Sequence, residues 1–172
     1  MTFAQQLAAV ALGRIRSSDL PGVAAQGVAE GHDSTALASL AGMQLRESSP
    51  AELEELFQRA LTQLNQTLPD RARAAQILTQ SYAELAVQGV LDPRGAAAEL
   101  VNLARDVEDV LPPRKHVGDG LGVDRLVGLY YSHDDVPWDD ERAHAEIDAD
   151  ILTELQRLAR DTVVTPTRRA PS

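Results

Sequence analysis

The sequence predicts an all-α protein: a single-domain bundle of about seven helices packed as helical hairpins. Three observations carry this. Apolar residues recur every three or four positions along most of the chain, and no segment alternates as a strand does. Capping signatures precede several of these apolar runs. The 44% hydrophobic content includes only 3% aromatics, so the core must be Leu, Ala and Val, a mixture rich in good helix formers.

Thr2 can cap a first helix whose inner face is Phe3, Leu7, Val10 and Ala11 and which ends near Arg14 or Arg16. The apolar run Leu7–Leu12 is too short to span a bilayer and follows no basic segment, so a buried helix face is expected there. Ser18 or Asp19 starts a second helix with Pro21 in its first turn and Gly31 as its stop. Asp33 is the expected cap of a third, carrying Leu37 and Leu40 and ending at Gly42. These two form a helical hairpin.

Ser49, Pro50 and Glu52 make a capping box with proline at the first helical position. Leu53, Leu56, Phe57, Ala60, Leu61 and Leu64 then follow an unbroken helical stripe. A fifth helix is expected from about Asp70 to Gln88, with Ala75, Leu78, Tyr82, Leu85 and Ala86 on one face and Gly89 as its stop. Asp92 and Pro93 open a sixth, burying Ala97, Leu100, Val101, Ala104 and Val107. Short links suggest that these three helices are antiparallel neighbours.

Pro112 and Pro113 interrupt the pattern, and a glycine-rich loop with a small basic cluster at Arg114 and Lys115 runs on to Asp124. A short helix or turn from Asp124 to Tyr131 follows. Pro137 is expected to open the last long helix, from Trp138 to Asp161, with Ile147, Ile151, Leu155, Leu158 and Ala159 inward. Glu146, Asp150 and Glu154 would then form an acidic ridge. The helical domain is therefore placed at residues 1–161, with 162–172 as a disordered tail.

Three runs carry a family resemblance: LGRIRSSDLPGVAAQGVAEGHDSTALASLAG, QGVLDPRGA and VGLYYSHDDVPWDDERAHAEIDADI. A short helical hairpin ending in Leu40-Ala41-Gly42, a Gly89–Ala96 turn and an aromatic-acidic segment before a last helix resemble an uncharacterised family of bacterial helical proteins. The resemblance implies a helical fold. It implies no activity.

Function is concentrated by composition in residues 129–150, LYYSHDDVPWDDERAHAEIDAD. Eight acids face one base there, a net −7 out of the chain's −10, beside three of its six aromatic residues. Such a field attracts a basic protein and repels nucleic acid, which needs clustered Lys and Arg. The expected partner-binding residues are Tyr130, Tyr131, Asp134, Asp135, Trp138, Asp139 and Asp140. The rings either close the core at the last helix or stand exposed among the acids, and the two readings can hold for different rings.

The leading expectation is a non-enzymatic, cytoplasmic interaction protein without cofactor, nucleic-acid or membrane partner, for instance an immunity- or antitoxin-like inhibitor of a basic enzyme. The alternative is a metal-dependent hydrolase built on His133, Asp134, Asp135, His144 and Asp148, since histidine and carboxylate ligate zinc, manganese or iron. No H-E-x-x-H or calcium-loop spacing supports it. The Gly118, Gly120 and Gly122 run lacks the spacing and lysine of a phosphate-binding loop. The absence of cysteine removes disulfides and thiolate chemistry, and there is no G-x-S-x-G elbow. The sequence leaves the oligomeric state open.

Overall fold

A computed structural model describes residues 1–43, 49–111 and 115–160. Among them the protein is all-α, with eight α-helices, two short 3₁₀ turns and no strand. The expected tail at 162–172, and Pro112, Pro113 and Arg114 of the glycine-rich segment, lie outside the described residues. No described helix is long and apolar enough to cross a membrane. The chain divides into two units, Met1–Leu78 and from Thr79 onward.

The first unit holds α1 (Phe3–Ala11), α2 (Leu20–Ala29), α3 (Thr35–Ala41), α4 (Pro50–Gln63) and the start of α5 (Arg71–Val87). The Thr2 and Ser49 capping boxes both form, so backbone N–H groups that a helix start leaves orphaned are satisfied. Ser34, not Asp33, caps α3. Its hydroxyl accepts from Leu37 N–H at 3.1 Å and donates to Gln63 Oε1 at 2.7 Å, which ties the start of α3 to the end of α4.

Phe3, Leu7, Leu20, Val23, Leu37, Leu40, Leu53, Phe57 and Leu61 are buried together, while Leu56 and Leu64 of the predicted stripe are half-buried at its edge. α2 and α3 form the expected hairpin. The packing partners of α4 in this unit include α2 and α3.

Helices here end on left-handed residues. Gly13, Gly31 and Asn65 have φ of 68°, 85° and 51°. After each, the next N–H reaches five residues back: Arg14 to Ala9 O, His32 to Gly27 O and Gln66 to Leu61 O, at 2.9, 3.0 and 2.9 Å. These are Schellman corners, which satisfy the last carbonyls and turn the chain sharply. Gly42, expected to stop its helix in the same way, instead has φ −88°.

The second unit contains the rest of α5, then α6 (Pro93–Asp106), α7 (Asp124–Asp135) and α8 (Glu141–Arg160). Asp92 caps α6 by accepting from Gly95 N–H at 2.9 Å. The predicted face of α6 is buried in full, and α6, α7 and α8 pack on one another around Leu100, Leu103, Val107, Leu126, Ile151 and Leu155. On α5, Ala75, Leu78 and Ala86 are buried, but Tyr82 and Leu85 only half so.

Two boundaries differ from the sequence expectation. α7 runs to Asp135 rather than stopping near Tyr131, and α8 begins at Glu141 rather than Trp138. The residue before a proline avoids helical backbone, and Val136 is accordingly extended (φ −83°, ψ 134°) ahead of Pro137. Proline thus ends α7 and leaves a turn before α8.

Candidate functional site

The α7–α8 hairpin carries every residue singled out by charge and aromatic content. Its tip is a four-residue turn in which Asp140 N–H donates to Pro137 O at 3.0 Å. Trp138 and Asp139 occupy the two middle positions. Asp140 then caps α8, its Oδ1 accepting from Ala143 N–H at 3.0 Å.

His144, in the first turn of α8, faces back toward Pro137, with Nε2 3.1 Å from the same carbonyl. A carbonyl only accepts, so Nε2 carries the proton in this contact. The Pro137 carbonyl therefore receives two donors, and the turn that presents Trp138 is fastened from both sides. The Trp138 side chain itself touches little: the residue is 90% exposed.

Behind the turn lies a pairing of histidines. The His133 and His144 ring centroids are 4.2 Å apart with planes inclined by 34°. His133 is buried, its Nε2 3.6 Å from Asp148 Oδ1, and His144 Nδ1 is buried without a hydrogen-bond partner. His144 and Asp148 share a face of α8, as their spacing of four requires. Extension of α7 through Asp135 adds His133 from the facing helix, whereas the sequence placed it in a segment before α8.

Asp134 leaves this cluster and lies 3.6 Å from Arg94. Among the described residues no group of three or more His, Asp or Glu side chains is arranged to hold a metal ion.

The three aromatic residues divide. Tyr131 is 39% exposed, its hydroxyl accepts from Arg105 of α6, and the Arg105 guanidinium also lies 5.7 Å from its ring centroid. Tyr130 is half-buried and meets Tyr131 edge-on at 5.4 Å. Neither is a core residue and neither is free. Of the predicted acids, Asp134 is ion-paired and Asp140 is engaged as a cap. Asp135 and Asp139 are exposed and hold no ion pair among the described residues.

The acidic ridge needs correction. Glu146 and Asp150 are exposed, but Glu154 is only 3% exposed. Its Oε1 is 2.6 Å from Arg157, its Oε2 3.9 Å from Arg125, and Arg157 also donates to the Gly122 carbonyl at 2.8 Å. Glu154 thus belongs to a bonded network that fastens α8 to the glycine-rich segment. Regular spacing of acids does not reveal this, because the partners are Arg157, one turn on along α8, and Arg125, distant in sequence. That segment is itself ordered around a 3₁₀ turn at Asp119–Leu121, entered and left through Gly118 and Gly122 at φ 93° and 69°.

Comparison with protein-family models, curated proteins and solved structures finds no match.

Proposed function

We propose that the protein is a non-enzymatic interaction module that binds a basic protein surface through the α7–α8 turn. The observation that supports this most directly is Trp138: a large ring held outward at the middle of a fastened turn, flanked by the exposed carboxylates of Asp135 and Asp139, which hold no ion pair among the described residues. Tryptophan is enriched among residues that dominate binding energy, and a rigid presentation lowers the ordering cost on association. The surrounding negative field raises the encounter rate with cations. An immunity- or antitoxin-like inhibitor that covers the cleft of a basic enzyme is the concrete version of this reading.

Trp138 is the chain's single tryptophan, so its emission reports on this turn alone. A basic protein captured from the native cell, purified and titrated in, should shift that emission to the blue. Trp138→Ala should speed dissociation about tenfold or more, the scale of a hot-spot residue. The double change Asp135→Asn and Asp139→Asn should slow association and flatten its salt dependence. Unchanged rates in both variants would remove the turn from the interface. A stoichiometric metal ion lost on His144→Ala would favour a hydrolase built on the histidine cluster instead.

A further inference from the structure

The first unit contains a cleft of about 320 Å³ unrelated to the acidic turn. It lies where four helix ends meet: the start of α1, the Schellman corners that follow α2 and α4, and the first turns of α5. Phe3, Leu7 and Ile77 give it an apolar floor, and His32 packs on the Phe3 ring at 4.8 Å between centroids. The size is at the small end of ligand clefts, about 300–1,000 Å³.

Two charged side chains stand on its walls with capacity in hand. Glu30 is held as a carboxylate below its ordinary range, first by the Gln26 amide and then by the Phe3 N–H. Both bonds fall on Oε1, at 2.7 and 2.8 Å, and leave Oε2 uncommitted among the described residues. Gln66 also lines the cleft, but its Oε1 is shut off from solvent and so from a ligand. The Arg73 side chain meets only Gln76 Oε1, at 3.4 Å, and has no carboxylate partner among the described residues.

One cation and one anion around an apolar floor match a small zwitterion. We propose that this cleft binds a free apolar amino acid. Its carboxylate pairs with Arg73, its ammonium with Glu30 Oε2, and its side chain rests on Phe3, Leu7 and Ile77. A single arginine offers too little charge for a polyphosphate, and a simple fatty acid would place no donor against Glu30 Oε2.

Calorimetric titration of the full chain with L-leucine, 4-methylpentanoate and 3-methylbutylamine tests the assignment, because the last two each lack one charge. L-Leucine should bind at least about tenfold tighter than either. Arg73→Gln should weaken L-leucine to the level of the amine, and Glu30→Gln to the level of the acid, with helical circular dichroism unchanged in both. Absence of L-leucine binding at millimolar concentration overturns the proposal. So does equal affinity for all three compounds, or L-leucine affinity that neither substitution lowers.

Discussion

The first unit and the α7–α8 hairpin of the second both depend on how helices end, and they use those ends in opposite ways. In the first unit, left-handed corners at Gly13, Gly31 and Asn65 turn the chain sharply, and Phe3 and Phe57 are buried among leucines. Eight acids nearly balance six bases, a net −2. From Thr79 onward eighteen acids face ten bases, a net −8, and the turn between α7 and α8 pushes its tryptophan into solvent. An aromatic residue thus goes where its local backbone sends it. Phe57 falls on the stripe of a long helix and is carried inward, whereas Trp138 falls between helices and has no face to share.

The sharpest form of this contrast is the same operation at both places. Phe57→Ala should cost about 3–5 kcal/mol, since it empties a packed site. Trp138→Ala should change stability by less than about 0.5 kcal/mol. Urea unfolding followed by helical circular dichroism measures both. Comparable losses at the two positions would break the comparison.

A smaller effect tests whether the acids of α8 are alike. Glu154→Gln should cost about 1–3 kcal/mol, because it weakens a buried, bonded carboxylate and releases arginines that fasten α8. The same change at exposed Asp150, to Asn, should be nearly silent. Equal effects would return Glu154 to the solvated ridge its spacing suggested.

What the sequence disclosed follows a physical line. Ser49-Pro50-Glu52 and Asp92-Pro93 announce their helices because capping is decided within four residues, and the structure forms both caps. The Leu100-to-Val107 face is legible because helical periodicity is local too. Pro137 reads as a helix opener, but by the same local logic it also fixes the boundary at Val136, because the residue before a proline avoids helical backbone.

The stacking of His133 on His144, the Arg94–Asp134 pair and the Arg125 contact to Glu154 each join different helices. No short-range pattern encodes them. The Gln66 corner is an intermediate case. Asn65 is a residue that tolerates left-handed backbone, so the turn after α4 is readable in retrospect, while the cleft it edges is not.

The smallest expected effect concerns pH. The Gln26 amide and the Phe3 N–H lower the Glu30 carboxyl, and the Ser49 N–H followed by its hydroxyl lowers Glu52. A carboxyl lowered in the folded state binds fewer protons there than in the unfolded chain, so its contribution is complete above the unfolded value of about 4.3. It is lost as pH falls through the lower folded value. Wild-type protein should therefore lose stability between neutral pH and about pH 3.5 more steeply than the double variant Glu30→Gln, Glu52→Gln. Glutamine keeps an acceptor at both places and preserves the capping-box geometry but carries no charge, so the variant should be slightly less stable than wild type at pH 7 and close to it at pH 3.5. Urea midpoints at the two pH values measure the slope. Parallel acid limbs would mean that these helix-end bonds persist in the unfolded chain or form equally well to the protonated acid. In either case the helix ends of the first unit would be structural corners without a role in its acid response.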